Sequence, residues 1–200
     1  MSVTAPIRIG ALSPAHRGRV AAILAATGAF RAAEVEVALE LFDETFPQGV
    51  GSRELGVVAT PDSPLATPQH PPAPATGSDY TFLGAFTPED ELVGYACYGP
   101  TPGTDHTYDL YWIAVDPAAQ GTGTGTLLLG EVERRLAALH GRLLVIETSS
   151  RSDYARTRTF YSRHGYADAA RVAAFYAPGD DRIILTKRFH SPTGRGASSP

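Results

Sequence analysis

The sequence predicts an α/β fold of the α+β type: a single mixed, mostly antiparallel central sheet flanked by helices. Three observations carry this. Period-2 and helix-period apolar stretches follow one another in the order β-αα-βββ-α-β-α-ββ. Three consecutive strands are joined by short connections, which favour antiparallel pairing, whereas one helix lies between two strands and implies a parallel crossover. Directly after that helix comes a continuous apolar run at 142–148, with Leu143-Leu-Val-Ile146 at its middle, the pattern of a strand buried on both faces.

The elements follow in order. Residues 6–12 form an edge strand, with Ile7 and Ile9 facing one way. Ser13-Pro14 opens a helix, serine as N-cap and proline at the first helical position. Val20, Ile23 and Leu24 give it an apolar stripe and Gly28 ends it. A second helix starts near Arg31, with Val35, Leu39, Phe42 and Phe46 on one face, and stops at Pro47. From 48 to 79 the pattern dissolves among Pro61, Pro64, Pro68, Pro71, Pro72 and Pro74, which implies an extended mobile loop. Such a loop is either a plain connection or a lid over a cleft. Strands at 80–86 and 92–98 form a hairpin that feeds a central strand at 107–115. A helix marked by Leu128, Val132, Leu136 and Leu139 ends with Gly141 as its C′ residue. The buried strand, a helix at 151–164 ended by Gly165, and a strand pair at 166–176 and 182–189 complete the domain at 1–190, leaving a disordered tail at 191–200.

Composition narrows the function. Two hundred residues, 43% apolar and 19% charged, are globular values for one domain. A net charge of −4 offers no basic face for nucleic acid and suits a cationic substrate better. One cysteine, Cys97, excludes an internal disulfide and the usual cysteine-based zinc sites, and no metal is expected. No signal-peptide core and no run of membrane-spanning length are present, so no membrane partner is expected and the reading is a cytoplasmic protein, monomer or homodimer.

The stretch that carries chemistry is Asp109-Leu-Tyr-Trp-Ile-Ala-Val-Asp-Pro-Ala-Ala-Gln-Gly-Thr-Gly-Thr-Gly-Thr126. Strand, glycine loop and helix start surround an anion with bare backbone N–H groups. A nucleotide P-loop needs a lysine beside its last glycine, and the only lysine here is Lys187. A dinucleotide fingerprint needs G-x-G-x-x-G at a first β-α turn, but the spacing is Gly121-x-Gly123-x-Gly125 after several antiparallel strands.

Gln120-Gly-Thr-Gly123-Thr-Gly125 matches Q-x-x-G-x-G and follows Leu110-x-x-Ile113-Ala-Val-Asp-Pro117. Downstream, Phe160-Tyr-Ser-Arg-His-Gly165-Tyr166 matches F-Y-x-x-x-G-F in its pattern. The pair, with the element order, resembles the GNAT superfamily of N-acetyltransferases over roughly residues 6–190. The resemblance implies acetyl-CoA as acyl donor, its pyrophosphate held by the backbone of Gln120, Gly121, Thr122, Gly123, Thr124, Gly125 and Thr126. Where relatives often carry basic residues, Gly121 and Thr122 stand, so binding leans on amides and the helix dipole. It also implies that Ile113, Ala114 and Val115 bond the pantetheine arm as an added strand would, on a strand that splays from its neighbour. Tyr154 stands where relatives bind pantetheine through an asparagine.

Transfer to an amine through a tetrahedral intermediate needs a base for the amine and an acid for the departing thiolate. Tyr161 stands at the family's tyrosine and suits the acid. For the base, Asp109 occupies a position where relatives often carry glutamate. Glu147 is its rival, because a carboxylate closing an apolar strand would be buried, with its pKa raised. His106 reads as a solvated turn residue, His164 as a helix C-terminal cation, and Cys97 as core. By resemblance, the first helices and the last hairpin shape the acceptor site, bringing Phe30, Arg31, Glu34 and the 175–180 turn near Asp109, Tyr111 and Glu147. The expected acceptor is a small amine or amino acid. A protein N-terminus or lysine, and a non-catalytic acyl-CoA sensor, are the alternatives.

Overall fold

The structure is a computed structural model, and it describes residues 6–47 and 79–189. Its elements are β1 (Arg8–Ala11), α1 (Arg17–Thr27), α2 (Ala32–Thr45), β2 (Thr81–Phe86), β3 (Leu92–Pro100), β4 (Thr107–Val115), α3 (Thr124–Ala138), β5 (Leu143–Ser149), α4 (Ala155–Arg163), β6 (Ala167–Ala177) and β7 (Asp180–Arg188). The proline-rich stretch read as a loop or lid lies, apart from Asp79, outside the described residues, as does the tail at 191–200. No helix among the described residues is long and apolar enough to cross a membrane.

One seven-stranded sheet runs in the order β1-β2-β3-β4-β5-β7-β6. Only β4 and β5 pair in parallel, and α3 makes the crossover between them. Alternation along the strands feeds two cores. On one face Leu110, Leu144, Ile146 and Leu185 meet Leu128, Leu129, Val132 and Leu136 of α3 and Tyr161 of α4. On the other, Phe82, Tyr95 and Ala114 meet Val20, Ile23 and Leu24 of α1 and Ala38, Leu41 and Phe42 of α2. Burying one such leucine contributes about 1.5–3 kcal/mol. The helices therefore clamp β2, β3 and β4 from both sides.

The α2 face of Val35, Leu39, Phe42 and Phe46 packs on the second core, with Phe42 buried beside Ala38 and Leu41 and the other three partly buried. The rings of Phe42, Phe46 and Phe82 cluster with centroids 4.7–5.8 Å apart, and the Arg17–Asp43 pair at 2.6 and 2.8 Å ties α2 to α1. Two local expectations need correction. At the end of α3 the left-handed residue is His140, φ 57°, not Gly141. His140 N–H donates to Ala137 and Gly141 N–H to Leu136, at 3.1 and 2.7 Å, a Schellman pattern with Gly141 at C″. Gly141 is still required, because a Cβ there would lie 2.9 Å from the Leu136 carbonyl oxygen. Finally, β5 is not buried on both faces. Leu144, Ile146 and Thr148 are buried, but Glu147 is exposed, since no helix among the described residues covers the second face of β5 and β7.

Candidate active site

The parallel pairing of β4 with β5 runs from Thr107↔Leu143 to Leu110↔Ile146 and stops. At that point β4 bulges: Cys97 of β3 faces Trp112 and Tyr98 faces Leu110, leaving Tyr111 as the extra residue. Beyond it, β4 stays with β3 through Val115, while β5 stays with β7 through Ser149. The sheet thus parts into a V, one arm of which is the backbone of Ile113, Ala114 and Val115. Ala114 is buried against α1 and α2, and Ile113 and Val115 pack partly on the opposite core.

The glycine loop sits at the end of this arm, and several bonds hold it there. Asp116 accepts from Ala118 N–H at 2.9 Å and from Arg19 of α1 at 2.8 Å, and its own N–H donates to Val93 at 2.9 Å. The side-chain amide of Gln120 donates to the Val115 carbonyl at 3.1 Å. Gly121 and Gly123 adopt φ 78° and 91°, a region that a Cβ makes costly, and no atom lies within 4 Å of where those Cβ atoms would be. Gly123 caps α3, so the N–H groups of Thr124, Gly125 and Thr126 lack intrahelical carbonyls. The threonines are not all outward. Thr122 donates to the Ala119 carbonyl at 2.7 Å and shares a 2.9 Å bond with the hydroxyl of buried Thr124. What the loop presents outward is its backbone.

The second motif meets the first. Phe160 of α4 lies 3.5 Å from the Cβ position of Gly125, and His164 Nε2 is 3.1 Å from the Thr126 hydroxyl while its Nδ1 meets the Phe160 carbonyl at 2.8 Å. His164 caps α4, as a helix C-terminal residue should. Tyr161 is buried between Phe160 and Tyr166, with edge-to-face centroids at 5.3 and 5.6 Å. Burial pushes its phenol far up, so it carries its proton across the neutral and alkaline range. Cys97 is buried, with its thiol also pushed up by burial. Exposed His106, φ 52°, sits in the turn before β4.

Across the V the groups presented are side chains. Asp109 is half-buried and accepts from the Thr101 hydroxyl at 2.6 Å. Burial raises its pKa, with the Thr101 bond and the Arg182 charge opposing. Tyr111 stands edge-on to Tyr80 at 5.1 Å, its phenol raised first by burial and then by Asp109. Glu147 does not meet the expectation of a buried carboxylate: it is exposed and ion-paired with Arg182. Tyr154 donates its hydroxyl to the Ala29 carbonyl at 2.8 Å, under the Arg151 guanidinium at 5.6 Å. That bond ties the α1–α2 connection, which carries partly buried Phe30, to the start of α4. Arg31 reaches buried Asp180 at 3.2 Å, and Asp180 also takes the Ser149 hydroxyl.

Sequence reasoning missed Arg19, Thr101, Ser149, Asp181 and Arg182. Asp181 shapes the last hairpin. It alone opposes the four β6 residues between Val172 and Ala177, accepting from Ala174 N–H at 2.7 Å and Arg171 at 2.5 Å. The resulting bulge lifts Phe175 onto the Arg182 guanidinium, 4.8 Å from its ring centroid. Asp181 follows the 175–180 turn directly, and that position gives no sign of this task.

Comparison with known proteins agrees with the geometry. Residues 78–168 match the family model described as an Acetyltransferase (GNAT) domain. A crystal structure from Desulfovibrio desulfuricans, described as a GNAT-family acetyltransferase, is 39% identical, with a TM-score of 0.72 over 92% of this chain and 98% of that one. N-alpha-acetyltransferase RimI of Mycobacterium tuberculosis is 28% identical over 97% of this chain and 90% of its own length. The ribosomal-protein-S18-alanine N-acetyltransferase of Escherichia coli shares the fold at 16% identity, with a TM-score of 0.65 over 98% of this chain and 99% of that one. The chain belongs to the GNAT superfamily and is an N-acetyltransferase.

Proposed function

We propose that this enzyme moves an acetyl group from acetyl-CoA to a primary amine by direct attack. The observation that carries the reading is the parting of β4 from β5 beside a loop whose two left-handed glycines leave open space in front of their backbone. This geometry supports an acyl-CoA as the ligand. Loop and first-turn amides from Gly121 to Thr126 would take the pyrophosphate, favoured by the dipole of α3 by roughly 0.3–1 kcal/mol. The freed edge of Ile113, Ala114 and Val115 suits the pantetheine amides. When bound, acetyl-CoA supplies an activated acetyl thioester. The chain's own residues supply the proton handling. Asp109, whose pKa is raised by burial, accepts the proton of the incoming ammonium. Tyr161 holds the proton that the departing thiolate needs. Exposed Glu147, already paired, is the weaker base. A structural part for Tyr154, in place of pantetheine binding, is supported by its bond to Ala29.

For the acceptor, the opening lined by Asp109, Tyr111 and Phe30 suits a small amine or amino acid, its cation meeting acid and aromatic faces. Similarity to the RimI enzyme along nearly the whole chain supports a second reading, a protein N-terminus. Use of acetyl-CoA, together with one buried free cysteine, supports a cytoplasmic setting. A thiol-release assay with acetyl-CoA, run against small amines, amino acids and short peptides with free N-termini, ranks these acceptors. Tight CoA binding with no thiol released by any of them contradicts the proposal. Tyr161→Phe should lower turnover about a hundredfold while leaving CoA affinity within about twofold. An unchanged rate removes Tyr161 as the acid.

A further inference from the structure

We propose that Arg182 is a positioning residue for the proton transfer: clamped to Glu147 and roofed by Phe175, it commits Glu147 to an ion pair and leaves Asp109 to meet the acceptor amine. This rests on the acetyl-transfer reading above, with Asp109 as base.

The register puts the three groups on one face. Asp109 lies opposite Val145, two residues before Glu147 on β5, and Glu147 lies opposite Ile184, two residues after Arg182 on β7. Side chains two apart on a strand share a face, so Asp109, Glu147 and Arg182 all rise from the side that α3 and α4 do not cover. Arg182 Nη2 grips Glu147 Oε1, and the guanidinium lies 4.8 Å from the Phe175 centroid. Its Nε is buried without a hydrogen-bond partner. A cation held between a ring and a carboxylate, with one nitrogen cut off from water, is fixed in place, and its charge acts on Asp109.

Burial lowers the Arg182 pKa and the Asp109 charge raises it, while Arg182 works against the burial that raises Asp109. The other groups around Asp109 do not substitute for it. Tyr111 on β4 and Tyr80 before β2 have raised phenols, and buried Cys97 on β3 has a raised thiol. All three are neutral at pH 7. Asp79 and Glu44 of α2, which act on Tyr80, and Glu147 are acidic residues and supply no positive charge. Thr101 bonds Asp109 Oδ2 at 2.6 Å and adds no charge. Arg182 is the cation that acts on Asp109 among the described residues. Without it, Asp109 would keep its proton to higher pH.

The test is the pH dependence of kcat/KM for the wild type, Arg182→Gln, Arg182→Lys, Glu147→Gln and Asp109→Asn, with acetyl-CoA affinity measured on each as a control for folding. Arg182→Gln should move the acid limb up by about one pH unit, the scale set by an opposite charge a few ångströms away. Arg182→Lys, which keeps the charge, should restore most of that shift. Glu147→Gln, which removes the anion paired with Arg182, should move the acid limb down, opposite to Arg182→Gln. An acid limb that stays put in Arg182→Gln while Asp109→Asn is inactive overturns the Arg182 assignment alone. Activity lost in Glu147→Gln overturns the division of roles between the carboxylates. Wild-type activity in Asp109→Asn overturns the base reading itself and this inference with it.

Discussion

The two arms of the V are built from different materials. On the glycine-loop side the groups presented are backbone amides, placed by two left-handed glycines, an Asp116 cap and the start of α3. On the other side they are side chains from β4, β5, β7 and the α1–α2 connection, held by pairs such as Arg182–Glu147 and Arg31–Asp180. A donor used by every turnover can be gripped by local geometry. Handling protons on a variable acceptor needs titratable groups, and these come from distant segments. The contrast teaches where each kind of damage should appear: loop variants should change affinity, and variants across the V should change rate.

The largest expected effect tests that directly. Asp109→Asn should lower turnover by about 10²–10⁴ with acetyl-CoA affinity unchanged. It should also stabilise the fold. The Asp109 pKa is raised on folding, so its ionised form is disfavoured in the folded state at pH values above that raised pKa. As pH falls through the folded pKa the carboxyl protonates and the penalty vanishes. Asparagine keeps an acceptor for Thr101 without the charge, so Tm should rise by about 2 °C at pH 8 and converge with the wild type near pH 4. A Tm gain independent of pH would point away from the carboxylate's burial.

Gly123→Ala strikes the other arm. At φ 91° an alanine costs about 1–2 kcal/mol, which either opens the loop or misdirects its amides. The Kd for CoA should rise about tenfold while turnover at saturation stays within about twofold. If saturating turnover falls as far as affinity, the loop also takes part in the chemistry and the division between the arms fails.

The difference between the arms also decides what was legible in the sequence. The order of elements, the glycine loop and the Phe160-Tyr161 motif are local patterns, and sequence spacing records local geometry. The bulge at Tyr111 left no trace, because an extra residue in a strand shows only against its partner strand. Glu147 was misread for a related reason. An apolar run reports the average burial of a strand, and here no helix among the described residues covers one face of β5. Arg182 looked like an ordinary start to a last strand, since its partners Glu147 and Phe175 are 35 and 7 positions away and meet it only through the register of β5, β7 and β6.

A smaller effect is expected where the acceptor arm is braced from outside the V. Asp180 is buried and joins Ser149 of β5 to Arg31 of the α1–α2 connection. Asp180→Asn keeps the shape and one acceptor but drops the charge that holds Arg31. The acceptor KM should rise about three- to fivefold, with the KM for acetyl-CoA unchanged. Parallel loss for both substrates would mean that Asp180 supports the whole fold and not one arm.

The smallest effect belongs to the threonines of the loop. Thr122 and Thr124 hydroxyls already bond within the loop, and the Thr126 hydroxyl bonds His164 at 3.1 Å. If the donor arm works through its backbone, Thr126→Val should cost CoA affinity less than about threefold, near the lower end of what one net hydrogen bond contributes. Valine keeps the volume and the β-branch, and the residue is exposed, so its amide should stay where the helix start holds it. A tenfold loss in isothermal titration would show the hydroxyl to be a ligand in its own right. The donor arm would then use side chains as the acceptor arm does, and the contrast between them would narrow to the origin of their residues.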